Sequence, residues 1–539
     1  MTASVRRNIL ALLIESGLQI TPDALDYILT LQAPIEKVES VILSKIKNDG
    51  PVVLSREYVS SLFENPISTK ETLEITPITS SELKVRGQKK GTSQQTAIDW
   101  DYTIEKTPDI IKVGSEGIIE DFLKLFVDRF ERIKRIYMAR IDTQNAVSPK
   151  VAKTRKGHMK RRQGGGETDV RLIRPPSQIV LGIIRNKSIS KSRNVILDIE
   201  GPEDTIICVV PSGQEGLKGQ QLSEKANSIL LDEVVCISGY VDNDERMIAD
   251  DVLFPDIPTA RQIGRSKTDI YAAFISDLHC GSQEFLEDEL DHFINWLNGH
   301  DVDSVDQGIV DNLRYLFIAG DMVDGISVYP EQRYHLTISS IYEQYDLIAH
   351  KLKKIPKRIK IFCIPGNHDA CRQALPKPPI PRMFCESLYN LGNVTMLGDP
   401  SQLIVEGVNI LITHGDSLDD LVTNIPGASY TDPAFPMKEL LKKRHLAPIY
   451  GGKTELAPLD RDWMVIDTPP DVVHFGHAHH NAVDNYRGVQ IINSGTFQSQ
   501  TDFMRKQGVV PTPGIVTLLN LRTGSPELKF FYDLSQERA

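Results

Sequence analysis

A chain of 539 residues, 40% of them apolar and 25% charged, is too long for one hydrophobic core and has the composition of ordinary folded protein. Its formal net charge of −11 argues against a surface that adheres everywhere to polyanions, so any such contact must use local basic patches or bound cations. No apolar run reaches the roughly 18–20 residues that cross a bilayer, and the six scattered cysteines form no C-x-x-C pair, which argues against a zinc ribbon or disulfide framework and points to a reducing, intracellular compartment.

The N-terminus has two arginines followed by an apolar stretch, superficially like a secretory leader. Glu15 interrupts that stretch, no small-residue cleavage site follows, and the spacing of Ile9, Leu10, Leu13 and Ile14 predicts an amphipathic helix instead. Thr21-Pro22-Asp23 marks a helix start, with an N-cap hydroxyl and proline in the first turn. Further helices are expected over 35–46 and after Ser55, where Tyr58, Val59 and Leu62 make an apolar stripe. Residues 1–64 therefore read as a small helical domain, suited to docking a partner or to capping the structure.

Residues 65–113 begin polar and rich in Ser and Thr, the composition of a flexible linker. A long amphipathic helix is predicted over 114–140 from the period of Ile119, Phe122, Phe126, Phe130, Ile133 and Tyr137. In the stretch 150–162, seven of thirteen residues are basic. It reads either as a solvated, disordered loop or as an arm that touches phosphates. Five short strands with turn signals then fill 170–260 and suggest a small barrel, best guessed as an OB-fold. Such barrels bind single strands through exposed aromatics. Only Tyr240 and Phe254 are candidates here, so a scaffolding role is as plausible as strand binding.

From Tyr271 onward strands alternate with helices, the texture of an α/β domain. Five apolar runs (YAAFIS, YLFIA, IFCIP, NILIT and DVVHF) read as strands buried on both faces. Each is followed at once by polar ligand types: Asp277 and His279; Asp321 and Asp324; Asn367, His368 and Asp369; His414; His477 and His479. Strands of one sheet end side by side, so these groups are expected to converge at one edge and bind metal. Singly such motifs are weak, since Gly-Asp and Gly-Asn are common turn dipeptides. Their conjunction carries the reading.

The five blocks resemble those of the calcineurin-like metallophosphoesterases: D-x-H, G-D-x-x-D, G-N-H-D/E, H and G-H-x-H. That resemblance implies one metal held by Asp277, His279, Asp321 and His479, and a second held by Asp321, Asn367, His414 and His477. Asp321 is then the bridging carboxylate. Two divalent ions are expected, manganese first, with iron, zinc or magnesium as alternatives, together with two-metal phosphodiester hydrolysis. His368 is expected to orient the phosphate or protonate the leaving oxygen, with Asp369 available to fix its ring. Asp324 and His480 are expected to support the ligands, and His474 to be structural.

The order of a helical domain, linker, barrel and phosphoesterase domain is similar to the B-subunits of replicative DNA polymerases. With all metal ligands retained, the chain resembles the small-subunit family of archaeal family-D DNA polymerases. The segments 324–330 (DGISVYP), 441–451 (LKKRHLAPIYG) and 493–498 (NSGTFQ) carry the same likeness. The fold expected is a multidomain α/β chain: helical domain 1–64; linker 65–113; long helix, basic loop and OB-fold 114–264; and a two-layer β-sandwich α/β phosphoesterase domain 265–539. The resemblance implies a proofreading 3′–5′ exonuclease acting on single-stranded 3′ ends, partnered by a large polymerase subunit, with no membrane. It also implies a cytoplasmic, nucleoid-associated location in a prokaryote. DNA synthesis itself is not expected here. Lys442, Lys443 and Arg444 read as phosphate contacts near His414 or as a solvated helix end. A non-catalytic scaffold and a stand-alone phosphatase or nucleotidase are the competing readings.

Overall fold

The computed structural model describes residues 100–109, 113–155, 160–163, 170–173, 176–212, 216–300 and 302–532. Within the first 84 residues it describes only 9, 19–20, 22–30, 38, 53–54, 56 and 59. The chain divides into two compact units, Met1–Lys84 and Val85–Ala539. In the first, the helix expected after Thr21 spans Pro22–Thr30 and buries Ala24, Leu25 and Ile28. Gln19–Ile20 and Val53–Leu54 form a short parallel strand pair. Most of the two further helices expected there, at 35–46 and after Ser55, lies outside the described residues.

In the second unit the long helix spans Ile119–Met138. Phe130, Ile133 and Tyr137 are buried as the period requires, but Ile119 is 81% exposed. Arg129 and Arg132 are buried in its place, because carboxylates elsewhere in the fold receive them. Part of the basic stretch is ordered: Pro149–Thr154 is helical and Lys160–Gln163 pairs antiparallel with Val170–Ile173. Residues 156–159 lie outside the described residues.

Five strands, Gln178–Ile189, Val195–Glu200, Thr205–Val210, Val234–Val241 and Met247–Leu253, close into a barrel with helix Leu217–Asn227 between the third and fourth. Alternate residues such as Leu197, Ile199, Ile206 and Cys208 fill its interior, following the two-residue period of a strand. Tyr240 is buried, and Phe254 packs against that interior under the Lys443 ammonium, 4.4 Å from its ring centre. The two aromatics singled out for base stacking are thus taken up in packing.

Two six-stranded sheets form the rest. The first runs Val394–Met396, Lys360–Ile364, Leu313–Ala319, Tyr271–Ile275, Ile515–Asn520, Pro526–Phe530. The second runs Ala482–Tyr486, Val489–Asn493, Val472–Phe475, Val408–Ile412, Ser401–Val405, Tyr102–Lys106. Facing side chains of the two sheets, including Phe274, Phe317, Phe362, Ile410, Ile412 and Val472, make one apolar layer. Phe274 stacks on Phe317 at 5.1 Å, and Phe317 on Phe362 at 5.3 Å. The alternate residues point outward: Ala273, Ile275, Leu316 and Ile361 pack with helices Glu287–Leu297 and Ile341–Lys353. Leu411, Val473 and Phe475 pack with helices Leu418–Asn424 and Ala434–Lys443. The strands are therefore buried on both faces, as their unbroken apolar runs require.

One strand was not legible. Tyr102–Lys106, within the stretch read as linker, lies at the edge of the second sheet, antiparallel to Ser401–Val405. Trp100, Tyr102 and Ile104 pack on the inner layer and alternate with Asp101, Thr103 and Glu105; this two-residue period is short and adjoins a long polar stretch, so its sequence reads as linker.

Candidate metal centre

Strands Tyr271–Ile275, Leu313–Ala319 and Lys360–Ile364 are mutually parallel, as are Val408–Ile412 and Val472–Phe475. The turns leaving them begin with the candidate ligands. Asp277 Oδ1 lies 3.3 Å from His479 Nε2 and 4.0 Å from His279 Nε2. Asp321 Oδ2 lies 3.7 Å from His279 Nε2 and 3.3 Å from His414 Nε2. Asn367 Oδ1 sits 2.9 Å from His414 Nε2 and 3.1 Å from His477 Nδ1. All seven expected ligands meet, in two groups with Asp321 between them.

The backbone is bent to achieve this. Asp277, His279, Asp321, His477 and His479 all have positive φ, between 49° and 65°. For residues with a Cβ this left-handed region costs roughly 1–2 kcal/mol each, and it persists only where the surroundings enforce it. Cross-links between turns do so. Asp277 N donates to Gly320 O at 3.0 Å, His279 N to Asp321 O at 3.0 Å, and Phe497 N to Asp277 O at 3.0 Å. The glycines in the motifs leave room. A Cβ on Gly366 would sit 2.1 Å from Asp321 Oδ1, and one on Gly476 would sit 2.6 Å from Asp277 Oδ2.

Three histidines are fixed from behind. His279 Nδ1 faces Asp324 Oδ1 at 3.1 Å, His414 Nδ1 faces Ala319 O at 2.7 Å, and His477 Nε2 faces Asp419 Oδ1 at 2.9 Å. Only a protonated ring nitrogen satisfies those acceptors, so in the neutral ring the other nitrogen presents its lone pair inward. The buried Nδ1 of His479 has no hydrogen-bond partner.

Charge in the cluster is unbalanced. Burial works against protonating His414, but the Asp321 and Asp277 carboxylates push it up to about 10. Asp321, despite burial, is held well below the usual carboxylate range by His414, His368 and His279. Buried carboxylates this close demand positive charge, which divalent cations supply directly. The mixed carboxylate, imidazole and amide donors suit such ions.

His368 is anchored by its Nδ1 to Asp324 O at 2.8 Å, and its N–H donates to Asp321 Oδ1 at 2.8 Å. Asp369, expected to fix that ring, does not touch it. The turn sends Asp369 inward, where it accepts from Gly366 N at 2.9 Å and Tyr345 OH at 3.0 Å, while His368 points outward. Asp324 is the shared support: besides His279 it accepts from Gln332 Nε2 at 2.7 Å and Gln498 Nε2 at 3.2 Å. His480 makes its contact with Val510 O, at 3.4 Å. His474 is buried, bonded to Ser494 Oγ at 2.6 Å and pushed down to about 3 by burial, a structural role.

Asp419 was missed by sequence reasoning. Besides His477 it accepts from Tyr430 OH at 2.8 Å. The run of aspartates after His414 (416, 419 and 420) was its only signal. Lys443 and Arg444, offered as phosphate contacts, are buried. Lys443 lies 3.2 Å from Glu233, and Arg444 donates to the carbonyls of Ile466 and Asp256 at 2.8 and 3.2 Å. They join the barrel to the sheets.

The family model of the DNA polymerase alpha/epsilon B-subunit matches residues 272–483. The DNA polymerase II small subunit of Methanocaldococcus jannaschii is 39% identical over 429 residues, 79% of this chain and 68% of that one. That of Methanothermobacter thermautotrophicus is 36% identical over 488 residues, 90% and 92% of the two chains. A solved archaeal phosphodiesterase superposes on 48% of this chain and 99% of its own, at 13% identity and a TM-score of 0.26, too loosely to bear on the fold. The chain belongs to the archaeal DNA polymerase II small-subunit family. No helix of the described residues is long and apolar enough to cross a membrane.

Proposed function

We propose that this chain is the proofreading 3′–5′ exonuclease subunit of a heteromeric DNA polymerase, hydrolysing the last phosphodiester of a single-stranded 3′ end. The observation that carries the reading is the meeting of seven donor side chains, five of them on left-handed backbone, at one edge of the paired sheets. Asp277, His279, Asp321 and His479 would hold one divalent cation, and Asp321, Asn367, His414 and His477 another, manganese being the first expectation. The chemistry such a pair would supply when bound is withdrawal of charge from the phosphate oxygens and a water acidic enough to attack near neutrality. Asp324 and Asp419 keep His279 and His477 turned toward the ions. His368, tied through Nδ1 to the Asp324 carbonyl, has Nε2 left to face the phosphate; once that nitrogen has taken a proton from solvent, it can orient the phosphate and pass the proton to the departing 3′ oxygen.

The relatives' names, small subunits of a DNA polymerase, support a large subunit as partner and DNA as the substrate; we assign the place of action to the nucleoid. The barrel's strand order, with the first strand between the second and fourth and the fifth beside the third, supports reading it as an OB-fold. We assign it a scaffolding role, and a partner-docking role to the N-terminal helices.

The test is exonuclease assay of the purified chain with Mn²⁺, alone and with its large subunit, on 5′-labelled single-stranded DNA. Shortening from the 3′ end is expected, abolished in His368→Ala with metal content retained. No shortening in either preparation refutes the reading.

A further inference from the structure

The segment 324–330, one of those that resemble the small-subunit family, is not accounted for by metal binding, since only its first residue, Asp324, supports the ligands. It opens a surface loop, 325–335, along the rim beside His368. Tyr329 has its ring centre 6.3 Å from that of His368 and stacks on His335 at 6.0 Å with 28° between planes. Tyr334 is 61% exposed, with the Arg333 guanidinium 4.6 Å from its ring centre. Within the same segment Ile326 and Val328 are 43% and 37% exposed. Aromatic and apolar groups so placed beside the donor cluster offer a surface to an occupant with a flat apolar face.

The loop is held rigid. Buried Gln332 donates to Asp324 O and Oδ2, both at 2.7 Å, and accepts from Val328 N at 2.8 Å. Gln283 N donates to His335 O at 2.9 Å, Gln283 Nε2 to Tyr334 O at 3.0 Å, and Thr337 N to Gly281 O at 2.8 Å. Asp324 thus fixes the His279 ring, the His368 ring and this loop together. The rings are presented without ordering a loop on binding, which favours affinity.

We propose that Tyr329 and Tyr334 form a stacking platform for the unpaired nucleobases at the 3′ end of single-stranded DNA, rejecting a paired terminus whose bases stack on each other. The proposal rests on the nuclease reading and names how its substrate is recognised. Every base has a π-face, so stacking of this kind is indifferent to sequence, and loss of one ring weakens binding by roughly 5- to 150-fold. The barrel offers no rival surface, Tyr240 and Phe254 being packed away. Arg333 adds a positive charge beside the stack for the strand's backbone.

The test measures binding of the full chain to single-stranded DNA by fluorescence anisotropy, with Ca²⁺ to suppress turnover. Tyr334→Leu and Tyr329→Leu should each weaken binding about tenfold, while Tyr334→Trp retains it. The wild-type chain should bind a strand with two abasic 3′-terminal residues as weakly as the Leu variants bind the intact one. A 2-aminopurine at the 3′ terminus should be quenched on binding the wild type and not the Leu variants. Equal affinity for intact and abasic strands, or full affinity in both Leu variants, overturns the platform even where Mn²⁺-dependent hydrolysis persists. Absence of hydrolysis in the wild type would instead overturn the nuclease reading, since the binding measurements involve no turnover.

Discussion

Gly366 shows how closely the motif residues are constrained. It leaves the strand Lys360–Ile364 and passes so near Asp321 that a methyl group would meet Asp321 Oδ1 at 2.1 Å and Asp321 N at 2.5 Å. The second contact is backbone and cannot rotate away, so Gly366→Ala must move a turn. We expect roughly 1–3 kcal/mol of lost stability from the overlap and a displaced Asp321 carboxylate. Metal content per chain after desalting from Mn²⁺, measured by elemental analysis, should fall well below that of the wild type. Retention of the full complement would show that Asp321 has no central place in the site. At this scale the sequence was most legible, because each ligand follows a buried strand by two to four residues and glycine stands where space is shortest. What it hid were supports such as Asp419 and Gln332, whose roles depend on contacts between turns rather than on spacing.

Among the elements, the long helix Ile119–Met138 departs furthest from its periodic reading. A stripe of apolar residues was expected to face a core, yet the largest side chain fully buried there is Arg129. Its Nε donates to Asp462 Oδ2 at 2.6 Å, and its Nη1 donates to the carbonyls of Asp232 and Pro448 at 3.0 and 2.6 Å. The helix is therefore a strut between barrel and sheets, with Phe122 and Phe126 edge-on to Tyr450 at 5.6 and 5.7 Å. Periodicity cannot find a buried arginine whose partners lie hundreds of residues away. Arg129→Met should destabilise the unit by about 3 kcal/mol, since removing one partner leaves the buried Asp462 charge undercompensated. The midpoint of denaturant unfolding should drop accordingly; an unchanged midpoint would mean that the helix is not a structural strut.

Across the whole molecule, the segment 441–451 lies on the seam where barrel, helix and sheets meet. Lys443 reaches Glu233 of the barrel, and Tyr450 N donates to Asp232 Oδ2 at 3.0 Å. His445 lies at the centre of the seam, with Nε2 at 2.9 Å from Asp462 Oδ2 and Nδ1 accepting from Ala447 N at 3.1 Å. That second bond requires an unprotonated Nδ1, so a proton added there would confront another donor. Burial lowers His445 to about 4, and the Arg129 and Arg132 charges add to the effect of burial against the Asp462 carboxylate. In the unfolded chain the ring titrates near 6.5, so between about 6.5 and 4 the unfolded state binds the extra proton. The contribution of His445 to stability should therefore be level above about pH 6.5 and fall as pH drops toward 4, by roughly 3 kcal/mol. Denaturant unfolding at pH 8, 6.5, 5 and 4 measures the slope, and His445→Asn should flatten it. A variant with the wild-type slope would assign the acid sensitivity to other groups and remove His445 as the proton-sensitive residue of the seam.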